Sequence, residues 1–181
     1  MWYARSMSDG VARVAKREKL QKTNAMRELE RGGIAYTATT FDEPEAMGRS
    51  DLGVQIAEML GQDPNRGFKT LVCVTPAGGH VVCCIPSCEE LDLKKAAAAA
   101  GEKSLTLMHV RDLEPTTGYV RGGCSPVGMK KQFPTLVDET AQLFDTIYIS
   151  GGRRGLQLEL DPEALVSFVG GAFADITRGV A

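Results

Sequence analysis

Three short stretches of this chain carry residue types that could do chemistry. The longest runs from Thr116 to Pro134 and reads Thr-Thr-Gly-Tyr-Val-Arg-Gly-Gly-Cys-Ser-Pro-Val-Gly-Met-Lys-Lys-Gln-Phe-Pro. Gly118, Gly122, Gly123 and Gly128 permit positive φ and let main chain come close to a ligand, so that N–H groups could hold a carbonyl or phosphate oxygen. A plain connecting loop is the competing reading, although loops of this length inside compact domains tend to be functional or disordered. The second stretch, Ser150-Gly151-Gly152-Arg153-Arg154-Gly155, follows the strand-like run Thr146 to Ile149. Its arginines could offer a guanidinium fork to phosphate or carboxylate. It has neither the G-K-[ST] of a P-loop nor the G-x-G-x-x-G of a dinucleotide site, and taken alone it is equally a surface turn. In the third, Phe68-Lys69-Thr70-Leu71, the Lys69 ammonium could enter a cleft and orient a hydroxyl or stabilise developing charge. A lysine in such a place more often snorkels at a sheet edge.

The usual nucleophile arrangements are poorly supplied. With two histidines, His80 beside a turn and His109 beside Arg111-Asp112, a Ser-His or Cys-His dyad has few candidates. Cys124 lies inside the glycine loop without a histidine nearby in sequence. The five cysteines, Cys73, Cys83, Cys84, Cys88 and Cys124, form no C-x-x-C pair and read as free thiols. His80, Cys83, Cys84 and Cys88 invite a zinc reading, but Val81 to Ile85 is strand-like, and adjacent strand residues point to opposite faces. Buried small hydrophobes are the expectation there, and no metal and no cofactor are expected.

The elements that must position these residues follow from periodicity and punctuation. Ser8 to Arg31 reads as a helix stopped by Gly32-Gly33, and Ile34 to Thr40 as a strand before the acidic turn Asp42-Glu43-Pro44-Glu45. Leu52 to Leu60 predicts a helix closing at Gly61. Thr70 to Thr75 and His80 to Ile85 predict a hairpin about Ala77-Gly78-Gly79. Leu91 to Ala100, with its run of alanines, predicts a helix with Gly101 as cap. Strands are expected at Ser104 to Met108, Thr135 to Val137, Thr146 to Ile149 and Leu156 to Leu160, and a last helix at Pro162 to Val169. Since strands and helices do not alternate as regular βαβ units, the expected class is α+β, with a mixed sheet curled into a barrel. At 181 residues, the chain is expected to hold one globular domain, residues 22–181, after an N-terminal extension, residues 1–21, that is helical or flexible. A net charge of -2 argues against nucleic-acid binding through a field spread over the whole surface, so any RNA contact must be local. No apolar run approaches a membrane span or a secretory signal, and a soluble cytoplasmic protein is expected.

Taken in order, the motifs resemble the YbaK/EbsC family of trans-editing deacylases, which is similar to the insertion domain of bacterial prolyl-tRNA synthetases. The resemblance begins near Lys22 and includes Thr23-Asn24-Ala25, Phe68-Lys69-Thr70-Leu71, Thr117-Gly118-Tyr119, Gly122-Gly123, Ser125-Pro126-Val127-Gly128, Lys130-Lys131 and Ile147 to Leu156. It implies an α+β fold with a mixed, barrel-like sheet surrounded by helices, and removal of cysteine from Cys-tRNA(Pro). Lys69 and Gly123 would be catalytic under it, with Phe41, Thr70, Gly122, Ser125, Pro126, Gly128, Gly151 and Gly152 around the aminoacyl group. Lys130, Lys131, Arg153 and Arg154 would touch tRNA, and prolyl-tRNA synthetase would be the protein partner, with no role for DNA or a membrane. The chemistry so implied needs few protein groups, because the thiol of the misattached cysteine can attack the neighbouring ester carbonyl. Deacylation of Ala-tRNA(Pro) or another mischarged tRNA by water, and a non-catalytic module that binds tRNA or a synthetase, are the alternatives. The chain departs from the family at Gln157, where an acidic residue is common, at Cys124, and in the longer segment Asp42 to Asp51.

Overall fold

The computed structural model describes residues 20–43 and 52–179. Residues 1–19 of the proposed extension, the first part of the helix expected from Ser8, and Pro44 and Glu45 of the acidic turn therefore lie outside the described residues; residues 20–23, expected as helix, are not helical, and the helix begins at Asn24, where the Thr23 hydroxyl caps it. Two sheets form the centre. In the first, β1 (Thr37–Thr40), β7 (Leu156–Leu160) and β6 (Ile147–Ser150) run antiparallel in the order β1-β7-β6. In the second, β4 (Thr106–Leu107), β2 (Phe68–Val74), β3 (His80–Pro86), β5 (Thr135–Asp138) and β8 (Ala172–Ala174) lie in that order, β3-β5 and β5-β8 being parallel. An isolated parallel bridge between Gly67 and Tyr148 joins the start of β2 to β6. The expected mixed, curled sheet is thus built as two sheets that meet along β2 and β6.

Strand alternation decides which face is core. Ile147, Ile149, Leu156, Leu158 and Leu160 share one large cluster with Phe68, Val72, Val82, Cys84 and Val137. Each fully buried aliphatic side chain there contributes roughly 1.5–3 kcal/mol relative to exposure. The odd-numbered residues Cys73, Val81, Cys83 and Ile85 face the second cluster, with Ala96 and Ala97 of α3 (Leu93–Ala100). Cys83 and Cys84 therefore sit on opposite faces of β3, as strand geometry requires, and all five cysteines are free. Cys88 is exposed, not a buried hydrophobe. Among the described residues no group of His, Cys, Asp and Glu could hold a metal ion, and no helix is long and apolar enough to cross a membrane.

Helix ends follow local chemistry. α1 (Asn24–Arg31) starts where the Thr23 hydroxyl accepts from the Met26 N–H. The Asp92 carboxylate caps α3 at its start, and Gly101 at φ 72° ends it. Asp161 and Pro162 open α5 (Pro162–Val169), and α2 (Leu52–Leu60) occupies the span expected. The structure corrects the sequence reading at α4 (Val110–Thr117), which was not expected as a helix. Pro115 inside it, two consecutive threonines and a start at His109 without a side-chain cap hide the pattern. The short 3₁₀ turn Glu139–Leu143 and strand β8 were also not anticipated.

Candidate active site

The long glycine loop is ordered by its own hydrogen bonds. Gly118, at φ 84°, ends α4 and donates to the Glu114 carbonyl at 2.8 Å. Its successor Tyr119 is buried, accepts from the Ala25 N–H and donates its phenol to the Val127 carbonyl at 2.7 Å, stapling the loop to α1. Ser125 is fully buried and its hydroxyl accepts from the Val127 N–H at 3.3 Å. Gly122 and Gly128 have φ near 85° and 80°, whereas Gly123 has no positive φ. Glycine at position 123 answers to proximity instead, because a Cβ there would lie 2.9 Å from Arg153 Cα and 3.0 Å from its carbonyl carbon. The Gly123 N–H donates to the Val120 carbonyl at 3.0 Å, so it is committed to a turn. Among the described residues, the N–H groups of Gly122 and Cys124 have no hydrogen-bond partner and are the donors left at this bend.

The strand-end turn after β6 meets that bend. Thr23 donates its hydroxyl to the Gly151 carbonyl at 2.6 Å, and the Gly152 N–H reaches Ser150 Oγ at 3.3 Å. Arg154 donates from Nε to the Arg121 carbonyl at 2.9 Å and lies 4.0 Å from the Glu43 carboxylate, so it clasps the two glycine segments together. Phe41 follows β1 on the same side, its N–H donating to the Gly155 carbonyl at 2.9 Å. Phe41, Gly122, Gly123, Gly151, Gly152, Arg153 and Arg154 are thus brought into one neighbourhood.

Lys69 reaches this neighbourhood through strand register. Counting two residues on from the Gly67–Tyr148 bridge along the two parallel strands brings Lys69 level with Ser150. Ser150 in turn pairs with Gln157, and Gln157 with Thr39. By strand parity Lys69 shares with Ser150, Gln157 and Thr39 the face opposite the large core cluster, and these four make one polar row. Burial lowers the Lys69 pKa, and Cys88, Glu90 and Glu89 partly offset this. Its ammonium donates to the Ser87 carbonyl at 3.2 Å, and Ser87 packs on Gly53 of α2. Among the described residues no hydrogen bond joins Lys69 to the glycine loop. Thr70 lies on the other face, with Oγ1 3.7 Å from Cys84 Sγ, in the large core.

Gln157 completes the row in an unusual state. It is 8% exposed, yet among the described residues its Nε2 has no hydrogen-bond partner. An amide donor buried without an acceptor costs about 1–3 kcal/mol, and the row carries that cost at one place. The sequence signal was the alternation Leu156-Gln157-Leu158-Glu159-Leu160, which sets two polar side chains on one strand face.

Other candidates sit elsewhere. Lys130 donates to the Pro115 carbonyl at 3.2 Å and lays its stem over Gly118, which closes the end of α4. Lys131 and Pro126 line a separate cavity of about 330 Å³ between α1 and α5. Burial pushes the Cys124 thiol up to about 12, which removes it as a thiolate nucleophile near neutrality. His80 stacks edge-on against Phe133 at 5.3 Å.

This chain belongs to the aminoacyl-tRNA editing domain family, whose model matches residues 51–168. It is 50% identical over 165 residues, 91% of this chain and 98% of the relative, to a protein of Enterococcus faecalis provisionally named Cys-tRNA(Pro)/Cys-tRNA(Cys) deacylase EbsC. Two solved structures share the fold. The hypothetical protein APE2540 has a TM-score of 0.77 at 24% identity, covering 86% of this chain and 100% of that one. A candidate trans-editing enzyme for prolyl tRNA synthetase has a TM-score of 0.71 at 22% identity, covering 86% and 96%.

Proposed function

We propose that this chain is an aminoacyl-tRNA deacylase that releases cysteine from mischarged Cys-tRNA(Pro). The observation that carries this reading is the 50% identity to EbsC across nearly all of that relative, whose name states the activity. The site chemistry supports it. A substrate thiolate attacks the ester carbonyl carbon, the C–S bond forms, and the bond from that carbon to the ribose oxygen breaks. Cysteine leaves as its thiolactone, and a proton replacing the one lost by the thiol ends on the freed ribose hydroxyl. The enzyme becomes a lyase by this route and a hydrolase if water attacks instead. Holding thiol and carbonyl together removes most of the entropic barrier. The charged Lys69 ammonium, in its partly desolvated position, stabilises the leaving oxygen, while main-chain donors at the Gly122–Gly123 bend stabilise the tetrahedral oxyanion. Phe41, Gly151 and Gly152 border the pocket, the buried Ser125 and the Pro126-to-Gly128 segment hold the glycine loop in shape from the side of α1, and Thr70 supports the strand under Lys69.

A site that reads the thiol discriminates by the nucleophile and not by pocket size, which a single methylene changes by only about 1–3 kcal/mol. The relative's name includes Cys-tRNA(Cys), which favours a second substrate of the same chemistry. Since the net charge is -2, affinity for tRNA is shared with prolyl-tRNA synthetase in the cytoplasm, with Lys130, Lys131, Arg153 and Arg154 adding local contacts. Steep salt dependence of tRNA binding without the synthetase would count against that sharing. The deacylase reading is tested by incubating Cys-, Ala- and Ser-tRNA(Pro) with wild type and Lys69→Ala. Cysteine release by wild type that is lost in the variant supports it; no turnover of any substrate by wild type rejects it.

A further inference from the structure

The row at Lys69 leaves a second feature unused. A cavity of about 300 Å³ lies where the start of α1, the end of α4 and the turn after β6 meet. Three cationic side chains line it, Lys22, Arg27 and Arg153, and no carboxylate does. Lys22 is paired with Glu30 at 2.7 Å. Arg27 donates to the Asn24 amide oxygen at 3.3 Å and lies in the field of Glu30, and neither it nor Arg153 has an ion-pair partner within 4 Å among the described residues. Two exposed arginines therefore line the cavity with no carboxylate among its described lining residues, Arg27 sharing the field of Glu30, in a chain whose overall charge is negative. Such forks match the oxygens of a phosphate.

The cavity borders the candidate active site at the turn after β6. Gly152 and Arg153 line it, while Arg153 main chain abuts Gly123 on the other side of the same turn. The hydrogen bond from Thr23 to the Gly151 carbonyl fixes the start of α1 to that turn. A polyanion entering the glycine bend at one end would pass these guanidinium groups next.

We infer that this cavity binds a backbone phosphate of the single-stranded RNA that leads to the aminoacylated nucleotide, with Arg27 and Arg153 as the ligating cations. The inference rests on the deacylase reading. Because a phosphate contact carries no base information, it serves Cys-tRNA(Pro) and Cys-tRNA(Cys) alike.

The test compares two substrates on the full chain, Cys-tRNA(Pro) and 3′-O-cysteinyl-adenosine, which has no phosphate. Arg27 is exposed, so Arg27→Gln leaves the core intact. Arg27→Gln should lower kcat/KM for Cys-tRNA(Pro) by about tenfold, mainly through KM, well beyond any loss on cysteinyl-adenosine. The salt slope of log KM should fall by about 0.7, the value for one contact to a single strand. Arg27→Lys should recover part of the loss. Equal losses on both substrates, or no loss on the tRNA, overturn the phosphate site. A loss confined to binding of purified prolyl-tRNA synthetase also overturns it and assigns the cavity to a protein partner. If wild type releases cysteine from neither substrate, the deacylase reading itself has failed.

Discussion

The polar face of the β1-β7-β6 sheet has two ends that are built alike and finished differently. At one end Arg66 donates to Glu159 at 2.8 Å and to the Thr146 carbonyl at 2.9 Å, and stacks 4.7 Å above Tyr148. Thr146 Oγ1 also donates to Glu159 at 2.6 Å, so charge, hydroxyl and ring satisfy one another. At the other end, among the described residues, Lys69 has a single acceptor and Gln157 keeps a buried amide without one. The paired end is what stability alone produces. The unpaired end retains unspent hydrogen-bonding capacity beside two glycine turns, which is what a site awaiting a substrate retains.

Substitutions can break or sharpen this contrast. The largest effect is expected for Lys69→Ala, which should reduce cysteine release by about 10²–10³-fold, as removal of one transition-state donor does. Lys69→Met should do the same while raising thermal stability. Burial depresses the lysine pKa, so the unfolded chain binds more protons between the folded and unfolded values, and the charged lysine destabilises the fold below that window. For the same reason the alkaline limb of kcat/KM should fall at a lower pH than an ordinary lysine, whereas the acid limb should follow the substrate thiol. Gly123→Ala should come next, since its Cβ would meet Arg153 main chain at 2.9 Å, and a cost of about 1–3 kcal/mol with parting of the two turns is expected by melting and activity. At the paired end, Arg66→Met should cost about 2 kcal/mol of stability by chemical denaturation with little change in kcat. The smallest effect falls on Gln157→Leu, which should stabilise by about 1 kcal/mol as the orphan amide is removed, while kcat/KM declines. Should Arg66→Met damage catalysis more than Gln157→Leu, the two ends have been assigned the wrong way round.

Much of this was legible before the fold. Helices α2 and α5 and strand β7 have the bounds that capping residues and periodicity predict, because their signals are local. α4 was missed because its sequence argues against a helix, and tertiary packing of the loop that follows overrides it. The glycine and arginine clusters supply the materials of the candidate site. Their assembly was not readable, since it depends on the parallel meeting of β2 with β6 and on Arg154 reaching Arg121 across the chain. The family resemblance implies that Gly123 offers a backbone contact. Its N–H closes a turn, and among the described residues the N–H groups of Gly122 and Cys124 are the ones without a partner. Gln157 looked like a departure from a family pattern, yet its buried, unpartnered amide is the most distinctive polar group of the row.

Whether the unpaired end of the polar face receives the aminoacyl group can be tested by nuclear magnetic resonance with a non-cleavable 3′-cysteinylamino-adenosine. On titration, the Gln157 side-chain amide, the Lys69 side chain and the Gly122 and Cys124 amides should shift together and saturate at one affinity. Shifts confined to the cavity at Lys131, with Gln157 and Lys69 unmoved, would contradict it.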